Sequence, residues 1–485
     1  MTGVRRDSPE GRWLLAAAVL GSGLAALDAT VINVALPAIG EDLDTDITGL
    51  QWILNGYLLT LASFLLLGGS LGDRYGRRRV FVIGVVWFAG ASLLCGLAPS
   101  VEVMVAARAL QGVGGALLTP GSLALLQSGF HPADRARAIG AWSGLGGVAT
   151  AIGPFAGGWL VSAASWRWIF LLNLPIAALT LLATRHVPES RDTTMPPGLD
   201  IAGSVAAAVG LAGVTWALIG ADSGAAGVPA AAVIGVASLL AFIAIQARSP
   251  HPLMPLELFA NRWFSATNVV TLALYFALGG SFFLLVVYLQ TTLGYSPVEA
   301  GAALFPLTVI MFLLSARAAA LGQRIGPRIP MTVGPIVAGL GLLGLSRIEA
   351  GSTYVGDILP AILVFGAGLV TTVAPLTATV LASAEERHAG IASGVNNTVA
   401  RTAGLLAVAA LPGLAGIGPG DFVDPVAFTA GFQRAMHITG LLAAASGLIA
   451  FIFLTGRIPA PTEDAPPCRS CPLDAPGIRA PEPAL

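Results

Sequence analysis

The sequence predicts an all-α, polytopic membrane protein: fourteen transmembrane helices, built as two pseudo-symmetric six-helix bundles with two helices inserted between them. Three observations carry that expectation. Hydrophobic residues make up 55% of the 485 residues, mean hydropathy is +0.81, and charged residues are only 11%, against about 25% in a soluble protein. The chain also divides into apolar runs near the ~20 residues that a bilayer core requires. Finally, one polar loop recurs 250 residues further on.

Taken in order, the runs fall near 13–36, 50–71, 80–98, 103–127, 137–162 and 168–186, then 199–219 and 228–247. The last six lie near 265–290, 298–321, 330–346, 355–383, 388–413 and 436–456. The first run is too long for a cleavable signal core and lacks a clear small-residue cleavage site, so it is expected to stay as a helix. With both termini in the cytoplasm, twenty of the 25 arginines fall on cytoplasmic segments, among them Arg79, Arg324 and Arg328. The outer loops then keep only Arg167, Arg347 and Arg434, beside acids such as Glu41, Asp42, Asp44 and Asp46. Positive charge is retained inside, so the reversed topology is untenable.

The same composition excludes several functions. Net charge is −1, and no basic field recruits nucleic acid. Lysine is absent, which removes the phosphate-binding lysine of a P-loop and any Schiff-base chemistry. If the protein does work, the energy does not come from its own ATPase, and no cofactor is expected. Three cysteines make no disulfide framework: Cys95 reads as packing, and Cys468 and Cys471 form a lone C-x-x-C in a Pro-rich tail, too few ligands for structural zinc.

Leu71-Gly72-Asp73-Arg74-Tyr75-Gly76-Arg77-Arg78 is echoed by Leu321-Gly322-Gln323-Arg324-Ile325-Gly326-Pro327-Arg328, with five of eight positions identical. Arg137 and Gly140 find Arg387 and Gly390 at the same offset. The shift spans eight helices, an even number, so the repeats are parallel, as in transporters built from two similar halves. The expected organisation is a cytoplasmic N-terminus at 1–12, a first bundle at 13–186, and an inserted pair with flanking loops at 187–262. A second bundle follows at 263–457, with a flexible cytoplasmic tail at 458–485.

These residues resemble the major facilitator superfamily, and within it the fourteen-helix drug:proton antiporters of the EmrB/QacA type. Gly69-Ser70 and the Leu71–Arg78 loop look like the superfamily's cytoplasmic loop signature. Leu27-Asp28-Ala29-Thr30-Val31-Ile32-Asn33-Val34-Ala35-Leu36-Pro37 resembles the antiporters' first helix, and Arg108-Ala109-Leu110-Gln111-Gly112 their fourth-helix motif. Gly153-Pro154-Phe155-Ala156-Gly157-Gly158 resembles the fifth-helix antiporter motif, and Trp166 through Pro175 also fits. Ala149 and Gln323 depart from the family pattern. The resemblance implies a multi-pass protein of the cell membrane that exports a small amphipathic drug, antibiotic or metabolite in exchange for protons.

Only Asp28, Arg108 and Arg401 are ionisable and well inside spans, where a charge costs at least about 2.5–3.5 kcal/mol. Counting from Leu36 and Val103 places Asp28 and Arg108 at similar depth, so they are expected to pair and to couple protons. Burial disfavours the charged carboxylate while Arg108 favours it. A fixed ion pair, or an aspartate satisfied by Thr30 and Asn33, is the plainer alternative. Candidate substrate-cavity residues are Asn33, Asn55, Tyr57, Gln111, Asn397 and Arg401. With two arginines and one aspartate, the buried set disfavours dicationic substrates.

Asp73, Arg74, Gly76, Arg77 and Arg78 form the expected cytoplasmic gate, in which, by resemblance, acid and arginines latch the halves while the inside is closed. Gly153, Pro154, Gly157 and Gly158 form the expected hinge in the fifth helix, where proline removes a hydrogen bond and glycine permits close approach. Gly68-Gly69-Ser70-Leu71-Gly72 matches a hydrolase elbow by letters, but it ends a membrane helix and no triad histidine accompanies it. An enzyme is therefore not expected. The expected partners are a small-molecule substrate, protons and the lipid bilayer. Proton-coupled uptake and a non-transporting sensor or scaffold remain as alternatives.

Overall fold

A computed structural model describes residues 3–192, 198–221, 226–384, 389–418, 420–421 and 424–455. Among these, the chain forms fourteen membrane-length rods. The first six are α1 (Pro9–Asp42), α2 (Ile47–Tyr75), α3 (Arg77–Gly96), α4 (Val101–Gly129), α5 (Pro132–Ala163), and the broken rod α6 (Arg167–Leu171) with α7 (Asn173–Thr184). Two more are α8 (Ile201–Ile219) and α9 (Gly227–Arg248). The remaining six are α10 (Arg262–Thr291), α11 (Pro297–Ala303) with α12 (Phe305–Ile325), α13 (Arg328–Leu345), α14 (Leu359–Ala382), α15 (Ala389–Leu414) and α16 (Pro425–Phe453). Thirteen rods among the described residues are long and apolar enough to cross a membrane. The fourteenth is α15, 26 residues long, whose apolar content is diluted by Asn396, Asn397, Thr398 and Arg401.

The two breaks have one cause. A helix proline cannot donate to the carbonyl four residues earlier, and α6 ends at Leu171, four residues before Pro175, while α11 ends at Ala303, just past the corresponding residue for Pro306. Two boundaries differ from the expected spans. Helix α1 continues through Pro37 to Asp42 rather than ending near 36. Helix α16 begins at Pro425, capped by Asp424 through Val426 and Ala427 N–H groups, rather than near 436, because Gln433 and Arg434 lower hydropathy without breaking the helix. The echoed loops turn alike: Gly76 between α2 and α3 has φ 113°, and Gly326 between α12 and α13 has φ 80°, a backbone region that glycine enters without a Cβ penalty. The side chain of Gln323, residues 385–388 and the tail with Cys468 and Cys471 lie outside the described placements.

Large apolar side chains cover the perimeter. Leu240, Val233 and Phe312 are each more than 60% exposed, the pattern of a surface that faces lipid. Helix α8 packs on α2 and α15, with Trp216 edge-on to Trp52 at 5.8 Å and Leu211 clustered with Ala62 and Leu405. The pair α8/α9 thus lies across the seam between the α1–α7 set and the α10–α16 set.

That seam is closed at one end and loose at the other. At the end away from the arginine-rich loops, Gln51 Nε2 donates to the carbonyls of Val408 (2.6 Å) and Ala409 (3.2 Å), and Gln290 Nε2 to that of Val34 (3.0 Å). There Gly158 abuts the Pro297 carbonyl and Gly301 the Pro154 carbonyl. At the arginine-rich end, Gly140, Gly144, Gly146 and Gly147 of α5 border open space.

Candidate functional site

Asp28, a carboxylate well inside a described span, sits where five rods converge. Asp28 is 3% exposed and Arg108 1%, and Arg108 Nη1 donates to Asp28 Oδ2 at 2.7 Å. The second oxygen, Oδ1, accepts from Gln111 Nε2 (2.8 Å) and Asn173 Nδ2 (3.0 Å). Ser92 Oγ accepts from the same two amides at 2.7 and 3.1 Å. Arg108 also donates to Gln111 Oε1 (2.6 Å) and to the Ile53 carbonyl (3.3 Å). Its guanidinium lies 4.4 Å from the Tyr57 ring centroid, and Cys95 Sγ is 3.7 Å from Gln111 Oε1.

Every hydrogen bond that reaches Asp28 comes from a nitrogen donor. A carboxylate accepts only, whereas a carboxylic acid must donate once, so this arrangement fits the ionised form. Protonation would remove the charge that balances Arg108 and place a donor among donors.

The pair meets for a different reason than equal depth counted from Leu36. Asp28 lies fourteen residues before the end of α1, about 21 Å along the helix, and Arg108 seven after the start of α4, about 10 Å; α1 simply reaches further outward. Thr30 and Asn33 do not satisfy Asp28: Thr30 Oγ1 donates to the Ala26 and Leu27 carbonyls and Asn33 Nδ2 to that of Ala29.

The six cavity candidates separate. Asn397 and Arg401 line a cavity of about 160 Å³ with Tyr275, Thr377, Val380, Leu381, Ser393, Asn396 and Ala400. Gln111 and Tyr57 belong to the Asp28 cluster instead, and Asn33 is tied to its own helix. Asn55 is fully buried, with neither amide atom hydrogen-bonded. It shares a helical stripe with Gln51, Leu58 and Ala62, which face α15, so it is sealed in the seam. An unsatisfied buried amide costs about 1–3 kcal/mol. Asn55→Leu is therefore expected to raise the thermal midpoint and slow turnover by favouring the closed seam; an unchanged midpoint in a thermal-unfolding scan would contradict this.

With the cytoplasmic end loose, the loop residues make contacts within their own bundle. Asp73 pairs with Arg77 at 2.7 Å on its own bundle, one turn away, and Arg74 lies against Tyr75, so neither bridges the two sets here. Arg78 and Arg79 offer backbone N–H groups to Glu189 at 3.0 and 3.1 Å, beside Gly76. In α5, the helix runs unbroken through Pro154. Gly153 faces Thr30 and Gly157 faces Val31 of α1, while Gly158 faces α11.

Sequence reasoning missed Ser92, Asn173 as an Asp28 ligand, and Glu189. The signal for Asn173 was present: an amide just after a proline-induced break in an otherwise apolar rod. Glu189 carried none, because its role depends on a loop folding back from α7.

Comparison with known proteins agrees with this geometry. The Major Facilitator Superfamily profile matches residues 18–408. The chain is 37% identical over 405 residues to the tetracenomycin C resistance and export protein of Streptomyces glaucescens, covering 82% of this chain and 74% of that protein. It is 36% identical over 409 residues to a puromycin resistance protein of Streptomyces alboniger (83% and 81%) and 32% identical over 453 residues to the lincomycin resistance protein of Streptomyces lincolnensis (91% and 91%). Among solved structures, a POT family transporter superposes with a TM-score of 0.69 at 14% identity, covering 92% of this chain and 96% of that one. An inward-facing bacterial homologue of the lysosomal transporter Spinster superposes with 0.65 at 18% identity, covering 92% and 98%. With a six-rod set on each side of the seam, a buried ion pair within the first set and a family match along most of its length, the chain belongs to the Major Facilitator Superfamily and is a membrane transporter, not an enzyme.

Proposed function

We propose that this protein exports small amphipathic antibiotics or related drug-like molecules across the cell membrane in exchange for protons. The arginine-rich end is the cytoplasmic one, with both termini there, because loop arginines are retained inside. On that assignment the seam is closed outside and loose inside, an inward-facing arrangement ready to take cargo from the cytoplasm.

Asp28 is the proton carrier, and Arg108 is its counter-charge. The observation that carries this reading is the acceptor-only pattern at Asp28. When a proton arrives, one N–H donor must withdraw, which loosens the ties between α1, α3, α4 and α7. Helix α1 also packs through Thr30 and Val31 against Gly153 and Gly157 of α5, and α5 in turn meets α11 at the outer seam. A change at Asp28 thus has a packed route to the contact that closes the outside. The resistance and export functions named for the relatives support drug efflux as the task.

Everted membrane vesicles loaded with a proton gradient test the proposal. Addition of tetracenomycin C, puromycin or lincomycin is expected to dissipate the gradient, with uptake of at least one compound that stops when an ionophore collapses it. If none of the three moves, or movement ignores the gradient, the reading fails.

A further inference from the structure

The cavity and the proton site lie in different halves, and the cavity has a charge of its own. Its wall carries Arg401 at about 18 Å along α15 from Ala389, near mid-membrane. No Asp or Glu occurs in α10 or in α12–α16, and none of the ion pairs among the described residues involves Arg401. Asp28 is paired with Arg108 and accepts from Gln111 and Asn173, and it makes no ion pair with Arg401.

Around Arg401 the wall divides by chemistry. Asn396 is held by Asn268 Oδ1 (3.1 Å) and Thr271 Oγ1 (2.8 Å), and Thr377 Oγ1 donates to the Val373 carbonyl (3.1 Å), which leaves Asn397, Tyr275 and Ser393 as the other polar neighbours. Val380, Leu381 and Ala400 supply apolar surface. A cavity near 150 Å³ accommodates a benzene-sized ring, and this one, at about 160 Å³, admits a small aromatic group. A cation in a low-dielectric wall without a paired acid attracts an anion and repels a second cation.

We propose that Arg401 is the anchor for an anionic group on the cargo, so that the transporter prefers aromatic organic acids to their neutral or cationic analogues. This rests on the cavity being the cargo site of the proposed exporter, and it goes further by assigning the charge class of the cargo. Arg401 acts by direct contact, as a charge-assisted donor to a carboxylate or acidic phenol.

Fluorescence titration of the purified full-length protein in phosphatidylcholine nanodiscs tests it, with 2-naphthoate, 2-naphthamide and 2-naphthylmethyl-trimethylammonium as probes. The naphthoate should bind about tenfold or more tighter than the amide, the worth of one hydrogen bond to a charged group, and the ammonium weakest. Arg401→Gln should abolish the preference for the naphthoate over the amide, and Arg401→Lys should restore part of it. Equal affinities in the wild type, or a preference that survives Arg401→Gln, would overturn the proposal. So would displacement of naphthoate by added phosphatidylglycerol, which would make the anchor a lipid-phosphate site. Binding needs no proton gradient, so the outcome is separate from that of the vesicle experiment: gradient-driven export without anion preference sinks only this inference.

Discussion

An Asp28→Asn variant is expected to lose gradient-driven transport by about 100-fold, toward the upper part of the range that coupling between two sites spans. Asparagine cannot carry an exchangeable proton, yet it occupies the same space. It also leaves Arg108 as a buried cation without its counter-charge, and removing one member of a buried pair costs about 3–5 kcal/mol. Loss of folding and loss of coupling are therefore separated by the double variant Asp28→Asn/Arg108→Gln. It replaces the pair with two amides, so its thermal midpoint should recover toward the wild type while gradient-driven transport stays as low as in the single variant. A double variant that transports against a gradient would show that the pair is only a brace.

Gly158→Val should force the outer seam apart. The added Cβ meets the Pro297 carbonyl and the start of α11, backbone that cannot swing aside as a flexible side chain can. Overpacking of this kind costs about 1–3 kcal/mol or more, and that cost falls only on the state with the outside closed. Spin labels at Ser162 on α5 and Thr291 on α10, both exposed at the outer end, should report a longer distance in this background than in the wild type. An unchanged distance distribution would mean that α5 and α11 do not form the outer closure. Gly140→Ala, whose Cβ borders open space, should leave the distribution as it is.

Much of the architecture was legible because lipid imposes simple rules. Backbone polar groups must be satisfied within each rod, so apolar run lengths located the helices. The recurrence of the Leu71–Arg78 loop pointed to parallel repeats, and both copies turn at a glycine with positive φ. Asp28 and Arg108 stood out because charge within a membrane span is costly. The remaining partners were harder to read. Gln111 and Asn55 are both amides in apolar helices, and hydropathy does not distinguish them. Their faces do: Gln111 is one turn from Arg108 and turns inward, whereas Asn55 lies on the stripe of α2 that meets α15. Glu189 depends on a loop returning to Gly76, a long-range event with no local pattern. The path of α8 across α2 and α15 was equally hidden, since its even hydrophobicity names no preferred face.

The central claim is that Asp28 gives up its proton when cargo binds. Proton release can be followed directly with a pH-indicator dye in weakly buffered solution while cargo is titrated into the purified protein. The wild type should release about one proton per cargo molecule bound, at a pH where Asp28 is protonated before cargo arrives, and the Asp28→Asn/Arg108→Gln protein should bind cargo and release none. Undiminished release from the double variant, or binding to the wild type without any release across the accessible pH range, would contradict the claim.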